Sequence, residues 1–156
     1  MSDDPAGPVV LPTESGSRQT FSGAALLRMA TTSRRDGTFD GAWWPRSRNL
    51  AVQLPGLIRA LTDKLGTVAR IGLDAGAWDV HLHSVAVDGH LVRIDWSDVD
   101  DHTMLVTRGH QDIFSFLMLP PYADEGAAHA AMTLAVQDGN SASATEILAA
   151  TGIAAR

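Results

Sequence analysis

The sequence predicts an α+β fold, in which an antiparallel sheet of about five strands is packed on one face by an amphipathic helix and C-terminal helices. Three observations support this prediction. Apolar residues recur at helical spacing early in the chain, alternate with polar residues in the middle, and give way to an alanine-rich segment near the C-terminus. Because residues 1–20 are rich in Pro, Ser, Gly and Thr, we expect a flexible N-terminal tail there and a single domain over residues 21–156.

The clearest predicted element is a helix that follows two adjacent tryptophans. Its apolar stripe has offsets of three and four and comprises Leu50, Leu54, Leu57, Ile58, Leu61 and Leu65. Gly66 is expected to end the helix. Pro55 has no amide proton to donate, so the helix should either bend at this residue or begin near Leu54.

Strands are predicted on both sides of this helix. Residues 24–30 form the first, and apolar and polar residues alternate over residues 67–73 and 91–96. Asp88-Gly89 is a typical two-residue hairpin turn, and a second glycine-containing connection follows it. We therefore expect two successive antiparallel hairpins.

Two helices should complete the domain. Residues 122–136 are alanine-rich, and Asp124 and Glu125 lie where the helix dipole favours negative charge. Ser143 and Glu146 have the spacing of a capping box, which predicts a short third helix.

Composition excludes several classes of function. The chain has no cysteine, which removes disulfides, zinc–thiolate sites and thiol catalysis. Its net charge of −6 and lack of a basic cluster argue against nucleic-acid binding. The sequence has neither a phosphate-binding glycine motif nor a Gly-x-Ser-x-Gly elbow, so we expect no cofactor and favour a protein that is not an enzyme.

The distribution of apolar residues predicts a cytoplasmic protein without a membrane anchor. The first residues contain two aspartates and three prolines rather than the basic and apolar regions of a signal peptide. The longest apolar stretches are much shorter than the roughly 20 residues that a membrane helix requires.

The segment from Asp40 to Ser47 is the strongest candidate for a binding site. Trp43 and Trp44 are adjacent, so on an extended chain one indole could join the core while the other faces solvent or a partner. Arg46 could bind a carboxylate or phosphate, or lie over an indole as a cation–π pair. The alternative is a structural corner in which both indoles pack and Arg46 pairs with Asp40. We interpret Asp40, Trp43, Trp44 and Arg46 as the candidate binding residues.

This segment also carries a resemblance to a known family. The Gly-Ala-Trp-Trp-Pro-Arg-Ser motif at residues 41–47, followed by Leu50, Leu54 and Pro55 and later by Leu119-Pro120-Pro121, resembles a family of small actinobacterial proteins of unknown function. The similarity extends from about Leu26 to Asn140. It implies a compact bacterial domain but assigns no activity or ligand.

Two other clusters suggest weaker alternatives. On one strand face, His81 and His83 could share a metal, with Asp79 nearby. His90, His102 and His110 are candidates for further ligands, but nothing in their spacing brings them together. The acidic connection formed by Asp95, Asp98, Asp100 and Asp101 lacks the ordered spacing of a calcium loop and is interpreted as a solvated turn.

Three functional hypotheses follow. The first is a non-catalytic module that binds a small anionic ligand or a protein partner at the Trp-Trp-Pro-Arg segment. The second is a small metal-assisted or acid/base enzyme built around His81 and His83. The third is an oligomerisation or scaffold protein in which apolar helix faces meet a second chain.

Overall fold

The computed structural model describes residues 9–11, 25–29, 38–96, 102–109, 112–137 and 140–153. The strands are β1 (Val9–Leu11), β2 (Ala25–Met29), β3 (Gly41–Trp44), β4 (Val68–Gly72), β5 (Ser84–Val87), β6 (His90–Asp95), β7 (Thr103–Arg108) and β8 (Asp112–Met118). The helices are α1 (Leu50–Leu65), α2 (Glu125–Ala135) and α3 (Ala144–Thr151), and a 3₁₀ turn covers Ala75–Ala77. The predicted α+β class is confirmed.

The described strands form one strongly curled sheet in the order β1-β2-β3-β8-β7-β4-β6-β5. Seven strands make up the main sheet, and the three-residue β1 extends its edge within the segment predicted to be a tail. The sheet has more strands than the five or so expected, because segments before α1 join it beside β8. The extent of the N-terminal tail stays a prediction.

The sheet is mixed rather than purely antiparallel. Both predicted hairpins are present, since β5 pairs with β6 and β7 pairs with β8 in antiparallel register. However, β3 lies parallel to β8, and β4 lies parallel to β6. The second parallel pair arises because β6, the returning strand of the first hairpin, lies next to β4, while β5 forms the sheet edge.

Helices cover both faces of the sheet, whereas the sequence predicted helices on one face only. Helix α1 packs its leucines against one face, in a core that includes Trp43, Ile71 and Phe116. Helices α2 and α3 pack against the other face, around Trp44 and Leu117. The difference arises because β3 and β8 have apolar residues on both faces, so each face needs a cover.

Helix α1 has the predicted apolar stripe and the predicted end at Gly66. Of the two alternatives for Pro55, a helix start near Leu54 is wrong. The helix begins at Leu50, where the Asn49 side chain accepts a hydrogen bond from the Val52 amide, and not near Leu54. Pro55 lies inside the helix and is buried with its neighbours Leu54 and Gly56. Burial against the sheet therefore maintains the helix across a residue that cannot donate a hydrogen bond.

Two of the predicted local signals, a turn and a helix cap, are present in the structure. Asp88 and Gly89 have φ values of 53° and 80°, as a tight turn between β5 and β6 requires. Ser143 and Glu146 form a complete capping box at the start of α3. Local chemistry therefore determined these two features independently of the tertiary fold.

The longest helix, α1, has 16 residues and includes Arg59, Asp63 and Lys64 on its exposed side. Within the described part of the chain, no helix has both the length and the apolar character needed to cross a membrane.

Candidate functional site

Trp43 and Trp44 are both buried, with exposed fractions of 0% and 1%. They lie on β3, and because successive side chains of a strand point to opposite faces, Trp43 enters the α1 core and Trp44 enters the α2–α3 core. The structure thus corresponds to the alternative in which both indoles pack, and neither faces solvent.

The Trp44 indole has a partner for its polar atom and for its ring. Its Nε1 donates a hydrogen bond of 3.1 Å to the Pro120 carbonyl oxygen. The Arg46 guanidinium lies 3.9 Å from the ring centroid, which confirms the predicted cation–π pair. His129 of α2 contacts the same ring edge-on, with 6.1 Å between the centroids. Trp44 therefore joins β3 to the segment after β8 and to α2.

Asp40 has a structural contact at the beginning of β3. Its carboxylate accepts a 2.9 Å hydrogen bond from the Ser115 amide, and its own amide donates to the Ser115 carbonyl at 2.7 Å. These bonds align β3 with β8. A ligand-binding role for Asp40, Trp43, Trp44 and Arg46 stays a prediction.

The Trp43 indole stacks on Trp78, which follows the 3₁₀ turn. The ring centroids are 5.4 Å apart and the planes differ by 21°. Both Nε1 atoms are buried, and neither has a hydrogen-bond partner among the described residues. A buried N–H without an acceptor lowers the stability of the folded state by about 1–3 kcal/mol. The stacked pair therefore packs well but leaves two donors without partners among the described residues.

A cavity of about 140 Å³ lies beside Trp78, and we call it the Trp78 cavity. It is lined by Pro45, Arg48, Ala77, Trp78, His102 and residues 118–122. Because β3 and β8 are parallel, their C-terminal ends lie on the same side of the sheet. β7 runs antiparallel to β8, so the beginning of β7, next to His102, lies on that side as well. The topology therefore brings distant parts of the chain together around one opening.

His102 is a buried polar residue in the wall of the Trp78 cavity. It is 4% exposed, and its φ of 60° lies in the left-handed region. Its carbonyl oxygen accepts a 2.8 Å hydrogen bond from the Met118 amide, which fixes the residue to the end of β8. Residues held in sparsely populated backbone regions often lie at functional sites.

Arg48 lies at the edge of the same cavity. Its Nε donates to the Ala77 carbonyl and its Nη2 to the Gly76 carbonyl, both at 3.2 Å. Asp79 lies 3.7 Å from Nε, and both side chains of this ion pair are more than half exposed. Arg48 therefore fixes the 3₁₀ turn while its charge stays close to the cavity.

The sequence indicated the segment that leads into the cavity but neither Arg48 nor Trp78, and it offered His102 only as a possible further metal ligand. Pro45 belongs to the Trp-Trp-Pro-Arg segment, and Pro120-Pro121 was recognised only as the end of a strand. Arg48, Trp78 and His102 are far apart in the chain and share no motif. The one signal that could have grouped some of them is their place after or before a predicted strand, which requires the strand order to be known.

The histidine pair does not form the predicted site. His81 and His83 lie before β5, which begins at Ser84, so they do not share a strand face. The His81 Nε2 lies 2.8 Å from the Ala75 carbonyl oxygen, and its ring contacts Trp96 at 4.6 Å. Among the described residues, no three side chains are grouped so that they could hold a metal ion.

The acidic connection is mostly outside the described residues. Asp98, Asp100 and Asp101 belong to that undescribed stretch. Asp95 is described and forms an ion pair with Arg70, with 3.3 Å between Nε and Oδ2.

Comparison with known proteins places the chain in a family without assigning it an activity. No curated protein and no solved structure shows significant similarity to it. A family model matches residues 26–135, which include β2 through α2 and every residue that lines the Trp78 cavity. The chain therefore belongs to the family of unknown function DUF5994.

Proposed function

We propose that this protein is a non-catalytic binding module, and that it binds a small organic molecule by enclosing one ring of that molecule in the Trp78 cavity. The observation that supports this proposal is the cavity itself. Its wall combines apolar surfaces from Trp78, Pro45 and Pro120 with two polar side chains, Arg48 and His102. Mostly apolar walls with a few placed polar groups are typical of small-molecule sites.

The volume of the cavity limits the size of the enclosed group. Apolar cavities of about 150 Å³ in proteins bind benzene. The Trp78 cavity, at about 140 Å³, has room for one six-membered ring and little more. Tyr122 lines the cavity and is exposed to solvent. Substituents on the enclosed ring can therefore extend past Tyr122 into solvent.

The Trp-Trp-Pro-Arg segment holds parts of the cavity wall in place. Trp44 fixes Pro120 through its indole hydrogen bond, and Pro45 follows directly as part of the cavity wall. Arg46 covers the outer side of the Trp44 ring. A small molecule accounts for the concave shape better than a protein partner or a second copy of the chain, since protein interfaces are typically broad surfaces.

Fluorobenzene is a suitable neutral probe, because it is one ring in size and its binding is measurable by fluorine NMR. We expect saturable binding with a dissociation constant of about 1 mM, equivalent to about −4 kcal/mol or roughly 0.6 kcal/mol for each non-hydrogen atom. Ala77→Leu places a larger side chain in the cavity wall and should weaken binding at least about tenfold.

Ala130→Leu is the matched control, because Ala130 is exposed on α2 and does not line the cavity. Circular dichroism and thermal unfolding should show that both variants are folded. The proposal is wrong if folded wild-type protein does not bind fluorobenzene saturably, or if Ala77→Leu binds it as tightly as Ala130→Leu does.

A further inference from the structure

We infer that the ligand of the Trp78 cavity is an aromatic monocarboxylate, with its ring inside the cavity and its carboxylate paired with Arg48. This inference rests on the proposed function and adds the charge of the ligand. It follows from the side chains in the cavity wall, from the available donors of Arg48, and from the aromatic surface of Trp78.

The cavity wall favours negative charge. Among the described residues, those that line the cavity include no aspartate or glutamate, whereas Arg48 is always cationic. The whole chain has a net charge of −6, so its overall field repels anions. Any preference for an anion must therefore come from these local groups.

Arg48 has donor capacity left for a ligand. Its described hydrogen bonds use Nε and Nη2, which hold the carbonyl oxygens of Ala77 and Gly76. A guanidinium has five N–H donors, so the Nη1 group can bind a carboxylate while the 3₁₀ turn stays fixed. Asp79 competes only weakly for Arg48, because the 3.7 Å ion pair is largely exposed to solvent.

Trp78 contributes an apolar ring surface to the cavity and not a donor. The residue lines the cavity and is 4% exposed. Its Nε1 is fully buried, so a group in the cavity does not reach it. The indole ring therefore favours an aromatic ring as the enclosed part of the ligand, and the charge preference depends on Arg48.

Three probes of nearly identical shape test the charge preference. Benzoate, benzamide and benzamidine carry charges of −1, 0 and +1 on the same ring, and isothermal titration calorimetry measures their affinities in one buffer. We expect benzoate to bind about tenfold more tightly than benzamide, because a hydrogen bond to a charged group contributes more than a neutral one. Benzamidine should bind most weakly.

Two substitutions test the role of Arg48. Arg48→Gln should abolish the preference for the anion, so that benzoate and benzamide bind this variant with equal affinity. Arg59→Gln is the matched control, because Arg59 is also exposed and paired with an aspartate but does not line the cavity. It makes the same change in net charge and should leave benzoate affinity unchanged.

Asp79→Asn provides a test that keeps Arg48 in place. Removing the competing carboxylate should raise benzoate affinity about twofold to threefold, a modest effect because the pair is exposed. This variant remains informative if Arg48→Gln does not fold.

The outcomes separate the two proposals. If benzamide and fluorobenzene bind and compete with each other but benzoate binds no more tightly than benzamide, the charge inference is wrong and the binding function stands. The assignment to Arg48 is wrong if Arg59→Gln weakens benzoate binding as much as Arg48→Gln. If none of these probes binds, both proposals fail.

Discussion

The two cores on opposite sides of the sheet are built differently. The core beneath α1 contains large side chains such as Leu54, Phe116 and Trp43, and the described residues fully buried in it include no alanine. The core beneath α2 and α3 surrounds Trp44 with five buried alanines, namely Ala42, Ala128, Ala131, Ala135 and Ala144. Small residues allow α2 and α3 to pack close to the sheet.

The tryptophans on the two sides of the sheet differ in the hydrogen bonding of their indole nitrogens. Trp44 has a hydrogen bond through Nε1, whereas the Nε1 atoms of Trp43 and Trp78 have none among the described residues. The cavity adjoins Trp78 and lies on the side with unpaired nitrogens. Adjacent residues of one motif therefore support the cavity in different ways, since Trp44 fixes Pro120 through a hydrogen bond and Trp43 supports Trp78 by stacking.

The largest effect should come from Gly41→Ala, which tests how tightly the α1 core is packed away from the cavity. A Cβ at this position would lie 2.6 Å from both the Arg28 carbonyl oxygen and the Phe116 ring. We expect a loss of about 3 kcal/mol in the free energy of unfolding, measured by urea denaturation. Gly72→Ala is the control, since its added Cβ would meet Leu105 at an ordinary 3.7 Å. Equal losses in the two variants would contradict this interpretation.

A smaller effect should distinguish the two tryptophans directly. Trp44→Phe removes a buried hydrogen bond, whereas Trp43→Phe removes a buried N–H that has no partner. Trp44→Phe should therefore destabilise the protein more than Trp43→Phe, by roughly 2 kcal/mol. Paired urea denaturation curves measure the difference. Equal stability of the two variants would show that the two sides of the sheet do not differ in this respect.

The smallest effect should come from Arg46→Ala, which uncovers the Trp44 ring. Loss of the cation–π contact and of the packed aliphatic stem should cost about 1 kcal/mol. The hydrogen bond from the Arg46 amide to Gln53 Oε1 remains, so the loop should keep its course. Arg59→Ala removes an exposed ion pair and should change stability by less than about 0.5 kcal/mol. A loss for Arg46→Ala no larger than this would contradict a stabilising role for the contact.

Features that depend on local sequence were predicted well. The stripe of α1, the Asp88-Gly89 turn and the Ser143 capping box each depend on residues that are close together in the sequence. Features that depend on long-range pairing were not, because the sequence does not show that β3 lies beside β8 or that β6 lies beside β4. The number of strands and the helices on both faces were missed for this reason.

The same division applies to the candidate site. The sequence drew attention to Trp43, Trp44 and Arg46 because unusual residues were clustered there. It could not show that both indoles are buried, since alternation along a strand predicts opposite faces but not what covers each face. Arg48 and Trp78 meet only through the tertiary fold, so no spacing in the chain indicated them.

The most direct test of this account follows the indole N–H signals in proton–nitrogen NMR spectra while benzoate is added. Each of the four tryptophans gives one signal, assigned by the corresponding Trp→Phe variant. We predict that the Trp78 signal shifts progressively until the cavity is saturated, while the Trp44 signal, already hydrogen-bonded to Pro120, stays in place. A Trp78 signal that does not move at saturating benzoate, or a Trp44 signal that moves as far, would contradict the assignment of the site.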